Sequence, residues 1–341
     1  MENNKVLNTV NDDTEHSASE SKKALHNFFL DVCICTHNPR PDILRRVLTS
    51  LAHQSAEKEL FKVVVIDNAS IPPLTAVDLA LLTDAGIVSA IVREPKLGNV
   101  FSRARAYQET NCEWILFVDD DNELQPDYIK TGVEIIRNRP ELGCFGGKLE
   151  LPKETHVHGW IVPLLPFLAI RDFGEKEITN IADYWGQWEP ATAGGFIRRA
   201  VLGAYARRIL DDPTTHVLGR KGSKILNSCE DSLMMAGAFH LGLACSYQPS
   251  LRLYHHVRTE RFRLSYLLPL MYGFGRSEVM LEYLCGRTGQ WVNQGSVAAL
   301  RDIGCSALLE CSRISWQYAL CMMIRRIALH RQRKRLLEKT K

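Results

Sequence analysis

Through its first 150 positions the chain alternates short apolar blocks with polar segments. The block at 28–35 is apolar except for Asp31, as a strand buried on both faces requires. Thr36, His37, Asn38 and two prolines follow and predict a loop. From Asp42, placed to cap a helix, Ile43, Leu44, Val47, Leu48 and Leu51 recur on one helical face through about Gln54. The same reading gives strands at 61–66, 88–92, 114–118 and 143–149, and helices at 79–85, 98–111 and 126–138. Regular strand–helix alternation predicts an α/β fold built of βαβ units around a mostly parallel sheet.

Beyond residue 150 the pattern loosens. Aromatic loops carry Trp160, Tyr184, Trp185 and Trp188, and Gly194-Gly195 marks a turn. Glu230-Asp231 open a helix running to about Leu241, 246–253 is extended, and His255-His256 follow. From Phe262 onward the pattern is helical. This divides the chain into a disordered polar tail (1–25), a globular domain (26–260) and a helical, basic extension (261–341).

Composition narrows the class. A hydrophobic share of 45% in 341 residues supports a full core without staples. A net charge of +3 argues against a polyanion-binding molecule, although the stretch from Arg325 to Lys341 is densely basic, with Glu338 its one acid. The ten cysteines form no C-x-x-C pair and mostly keep apolar company, which suggests buried thiols in a reducing compartment. No signal-peptide core stands at the start, and no apolar run reaches the roughly 18 residues of a membrane span. The expected location is therefore cytoplasmic, with a peripheral position at the inner face of the cytoplasmic membrane as a further expectation.

Ligands of parallel sheets gather at the carboxyl ends of the strands. Here those ends collect Thr36, His37 and Asn38, then Asp67 and Asn68, then Asp119, Asp120 and Asp121. Three adjacent carboxylates repel unless a cation or solvent compensates. Alternate positions of an extended segment share a side, so Asp119 and Asp121 suit a divalent ion that also binds substrate phosphates. A solvated acidic turn is the competing reading. Taken alone, Glu230-Asp231 read as acids favoured by a helix N-terminus; the functional reading makes Asp231 a general base. Either His255 or His256 suits a metal, or a structural hydrogen bond at a strand end.

Taken in order, the segments VCICTHN (32–38), VVIDNAS (64–70), LGNVFSRA (97–104), WILFVDDDN (114–122), AGGFIRR (193–199), GRKGSKILNSCED (219–231) and PSLRLYH (249–255) resemble the family-2 glycosyltransferases of GT-A fold, over residues 30–275. The resemblance implies an inverting transfer of sugar from a nucleoside-diphosphate sugar, UDP foremost, to a hydroxyl of a saccharide or lipid-linked acceptor in cell-surface glycan synthesis. It implies donor contacts from Thr36, Asn38, Asp67, Gly98, Arg103, Asp119 and Asp120, with Arg105 a rival to Arg103. It implies a divalent metal, Mg²⁺ or Mn²⁺, on Asp121 and His255, and catalysis by Asp231 supported by Glu230. Gly194 and Gly195 would flank the acceptor; Trp188 and Trp185, by their own chemistry, suit stacking on a sugar face and filling core equally. One departure stands out: Cys229 occupies a position where the family usually has glycine.

The basic, apolar C-terminal helix suits either an anionic membrane interface or packing on the domain. Nucleic acid is not expected, since no stacking platform accompanies the charges. The apolar stretch 159–170 either covers core or faces a lipid acceptor. The glycine-free first loop argues against a Rossmann oxidoreductase and a nucleotidyltransferase. A silent nucleotide-sugar-binding scaffold anchored at a membrane is the non-enzymatic alternative.

Overall fold

The computed structural model describes residues 28–181, 188–222, 225–288 and 296–339; the expected tail at 1–25, and Tyr184 and Trp185, lie outside them. Strands β1 (Leu30–Thr36), β2 (Phe61–Asn68), β3 (Ser89–Glu94) and β4 (Trp114–Asp119) lie parallel in the order β3-β2-β1-β4. The register sets Thr36 opposite Asp67 and Cys35 opposite Asp119, so the polar strand ends reach one edge together.

Both faces of β1, β2 and β4 are covered, which is why these strands read as apolar runs, whereas the edge strand β3 stays partly exposed. Val32, Ile34, Val63, Val65, Leu116 and Val118 face a core shared with α1 (Pro41–Ala52) and α4 (Tyr128–Asn138). The alternate set, Cys33, Val64, Ile66, Ile115 and Phe117, faces α3 (Asn99–Glu109), α5 (Arg199–Asp211) and α6 (Glu230–His240). The short helix α2 (Ala80–Asp84) lies between β2 and β3.

The other half of the sheet is mixed. β8 (Phe196–Arg198) pairs antiparallel with both β4 and β6 (Leu142–Glu150). β11 (Ala244–His255) runs parallel to β6 and antiparallel to β5 (Asn122–Leu124) and β7 (Ile178–Asn180). A two-stranded ribbon, β9 (Arg220–Lys221) with β10 (Ile225–Leu226), precedes α6.

Local corrections follow from this packing. Asp42 does not cap α1: Arg40 is the capping position, Pro41 begins the helix and Asp42 lies in its first turn. Proline suits that first position because its missing N–H has no helical partner to lose. β11 is longer than the expected 246–253 because pairing with β5 carries it to His255, placed opposite Asn122. Thr36, Asp67, Asn68 and Asp119 likewise end their strands rather than start loops. All ten cysteines are free; Cys33, Cys144, Cys245 and Cys321 are buried, whereas Cys305 and Cys311 are exposed.

The C-terminal helices α7 (Leu264–Leu284), α8 (Ser296–Arg313) and α9 (Trp316–Lys339) follow β11. A third core joins Leu267, Leu270 and Met271 of α7 and Cys321 of α9 to Ile161, Leu164 and Leu168 of the 3₁₀ segment Gly159–Leu168. Ion pairs Arg325–Glu278, Arg326–Glu310 and Arg333–Glu282 tie α9 to α7 and α8. Among the described residues no helix is long and apolar enough to cross a membrane.

Candidate active site

The ends of β1, β2, β4 and β11 bring most of the expected residues to one edge. Thr36 is buried, and its hydroxyl donates to the Asp120 carboxylate. Asn38 stands at φ +49°, a left-handed conformation that asparagine tolerates. Its Oδ1 accepts from the Ile71 amide at 2.8 Å, and its own amide donates to Ser70 Oγ at 2.9 Å. Asp67 is buried and accepts from the amides of Ser70 (3.0 Å) and Leu74 (3.2 Å) and from Arg93 Nη1 at 3.1 Å. Asn68 Oδ1 accepts from the Gly98 amide at 2.8 Å. Gly98 caps α3 at φ +140°, a conformation open to glycine, and is buried, with Phe101 and Lys221 close to where a Cβ would stand.

Asp121 and His255 meet. Asp121 Oδ1 lies 3.3 Å from His255 Nε2, and the two residues are 9% and 4% exposed. His255 Nδ1 lies 3.4 Å from the Ala169 carbonyl oxygen. Burial pushes the Asp121 carboxyl up, but His255, Arg261 and Arg220 together hold it well below the ordinary range. Its neighbour Asp120 is pushed up to about 7 by burial and by the Asp121 charge, against the pull of the Thr36 hydroxyl. Burial raises Asp119 as well, with Arg103 opposing it. His256 turns away, its Nε2 2.7 Å from Glu123 Oε2, so the structure separates the two histidines that the sequence left as rivals.

A carboxylate oxygen and an imidazole nitrogen set side by side form an O,N donor pair that fits Mg²⁺ or Mn²⁺. Among the described residues no group of three or more His, Cys, Asp or Glu is placed to hold a metal ion by itself, so substrate phosphate or water would have to supply the remaining positions.

Across the edge stands the acidic pair. Arg103, 5% exposed, places Nη1 3.0 Å from Glu230 Oε1 and 2.6 Å from Asp231 Oδ1. Arg103, expected to contact the donor, is thus engaged in internal ion pairs, and its rival Arg105 pairs with Glu109 on its own helix. Asp231 also accepts from Thr192 Oγ1 at 2.8 Å. Burial pushes Asp231 up, and Arg103 with Thr192 more than reverses this, leaving it below the ordinary range. Glu230 goes the other way, because burial and the Asp231 charge outweigh Arg103. Glu230 and Asp231 also form the first turn of α6, so the helix-terminus reading and the base reading are compatible.

Cys229, at the helix start, adopts φ +67°, the conformation for which glycine would be the unstrained choice. Gly194, at φ +70°, makes the tight turn expected. A Cβ there would come within 2.4 Å of Leu253 Cδ2 and 2.5 Å of the Tyr128 hydroxyl oxygen. At Gly195 it would come within 2.5 Å of the Ala191 carbonyl oxygen. Trp188 is half-buried against the second core. Sequence reasoning missed Thr192, Glu189 and Arg261. None belongs to a motif, and each meets its partner only through folding.

Residues 31–202, just over half of the chain, match the family described as glycosyl transferase family 2. No curated protein matches the chain significantly. The crystal structure of S. aureus TarS is similar with a TM-score of 0.49 and 18% identity, over 91% of this chain and 53% of that one, so this chain spans about half its length. S. aureus TarS 1-349 in complex with UDP-GlcNAc gives 0.48 and 14%, over 91% and 92% of the two chains. The mannosyltransferase PcManGT from Pyrobaculum calidifontis, in complex with GDP-Man and Mn²⁺, gives 0.54 and 13%, over 91% and 88%, a likeness of fold. The chain belongs to glycosyl transferase family 2 and is a glycosyltransferase of the GT-A fold.

Proposed function

We propose that the protein moves a sugar from a nucleoside-diphosphate sugar, UDP foremost, to a hydroxyl of a saccharide or lipid-linked acceptor, with inversion at the anomeric carbon. The observation that carries the reading is the convergence of the Asp121–His255 pair and the Arg103–Glu230–Asp231 cluster beside Thr36, Asp67 and Asp119 at one sheet edge. Thr36, Asn38, Asp67, Gly98, Arg103, Asp119 and Asp120 would line the donor site. Asp121 and His255 would hold a divalent ion, which neutralises charge on the leaving diphosphate when bound. The mannosyltransferase of similar fold is in complex with GDP-Man and Mn²⁺ in its solved structure.

Asp231, kept ionised by Arg103, would take the proton of the attacking hydroxyl. Glu230 would support it, and Gly194, Gly195 and Trp188 would flank the acceptor. Release of nucleoside diphosphate from UDP-, GDP- and dTDP-sugars tests this. Asp231→Asn should lose turnover while still binding the donor; full turnover in that variant removes Asp231 from the role.

The reading extends to the membrane and to cell-envelope glycan synthesis. Three arginines of α9 are already paired with Glu278, Glu310 and Glu282, so the tail alone is a weak contact. The α8–α9 junction is better suited: Leu308 and Trp316 are 74% and 58% exposed, Leu309 and Ile314 are exposed too, and Arg313 lies among them. An exposed tryptophan and aliphatic tip with a cation suits an anionic bilayer surface.

A further inference from the structure

Next to the acidic pair lies a carboxyl that no motif and no step of the transfer uses. Glu189 is 8% exposed. Ser232 Oγ donates to its Oε2 at 2.6 Å, and Ser232 follows Asp231 in the first turn of α6. Its Oε1 is buried without a hydrogen-bond partner among the described residues. Three positions on, Thr192 donates to Asp231 from Oγ1 at 2.8 Å and from its amide at 3.4 Å. Segment 189–192 therefore grips the start of α6 at two adjacent residues. Arg171 holds the segment from the other side by donating to the Glu189 carbonyl oxygen.

A buried carboxylate oxygen without a donor is costly when charged and acceptable when it carries the proton. The groups facing Glu189 are Ser232 and Asp231 on α6, Arg171 after β6 and Arg287 after α7. Burial pushes its carboxyl up to about 7, with Ser232, Arg171 and Arg287 pulling down and Asp231 adding to the rise.

We infer that Glu189 is a positioning residue for Asp231: neutral, it steadies the first turn of α6 through Ser232, and ionised, it places a second negative charge beside Asp231 and makes it a stronger base. The inference rests on the reading of Asp231 as the base. No bond forms or breaks at Glu189 except to its own proton, which exchanges with solvent. A like charge nearby raises the proton affinity of Asp231, and a more basic carboxylate takes the hydroxyl proton more readily.

The test is a carbon-13 NMR pH titration of glutamate carboxyls in the full chain, comparing wild type, Glu189→Gln and Asp231→Asn. One glutamate should titrate near 7, vanish in Glu189→Gln, and titrate at lower pH in Asp231→Asn, where the neighbouring charge is gone. Glu189→Asp gives the same assignment should the glutamine variant fold poorly. A carboxyl serving only as a structural anchor would titrate alike with and without the Asp231 charge. The inference is overturned if no glutamate titrates above about pH 6, or if the one that does ignores Asp231→Asn. Neither result touches nucleotide binding, which is measured separately.

Discussion

Replacing Arg103 by methionine removes the cation that two buried acids share. The guanidinium contacts lie at 3.0 Å and 2.6 Å, and the side chains of Arg103 and Glu230 are almost wholly buried. At an effective dielectric of about 20, each contact near 3 Å has a gross attraction of roughly 5 kcal/mol, largely offset by the desolvation of three charges. Removing one partner leaves the desolvation of the acids uncompensated, so the expected loss of stability is about 3–5 kcal/mol at pH 7. The pH dependence has a definite sign. Without Arg103 the folded-state carboxyls titrate above their unfolded values, so the folded variant binds more protons than the unfolded chain. Its deficit against wild type should therefore shrink as pH falls from 7 to 5. Urea unfolding at both values measures this, and Glu230→Gln in the Arg103→Met background should recover part of the loss at pH 7. A deficit under about 1 kcal/mol at pH 7, or one that does not shrink at pH 5, would refute the buried-cluster argument.

Gly194→Ala should lose about 2–5 kcal/mol in urea unfolding, combining left-handed backbone strain with overpacking against Leu253 and Tyr128; a variant as stable as wild type would contradict the turn geometry. Cys229→Val should lose at least about 1 kcal/mol, because a β-branched residue fits φ +67° poorly, whereas Cys229→Gly should stay within about 1 kcal/mol of wild type; thermal unfolding distinguishes the two. The double change Leu309→Ser with Trp316→Ser should weaken sedimentation with phosphatidylglycerol vesicles by tenfold or more, on the order of the 1.5–3 kcal/mol carried by one buried apolar side chain. Neutralising Lys334 and Arg335 should matter less, and the reverse ranking would move the contact to the tail.

The parallel half of the sheet was legible because β1, β2 and β4 are buried on both faces and so print apolar runs in the sequence. β5, β7 and β8 are three residues each, too short to show a period, which hid the mixed half of the sheet. Strand ends announced the acidic edge, but the extended segment read from the sequence stopped at 253, short of His255, which β11 reaches only through its pairing with β5. The register of β11 against β5 sets His255 beside the acidic turn, a placement that spacing along the chain does not encode. The Arg103 ion pairs join residues more than a hundred positions apart, and no local pattern encodes such a contact. Glu189 lay unnoticed for the same reason: its partner, Ser232, is fixed by how α6 packs, not by spacing.

The most direct test of the account is calorimetric binding of UDP, GDP and dTDP, each with Mn²⁺ and with EDTA, to wild type and to Asp121→Ala. One nucleotide should bind with Mn²⁺, bind far more weakly in EDTA, and be lost in Asp121→Ala. Binding of no nucleotide under any condition, or binding indifferent to both the metal and Asp121, would contradict it.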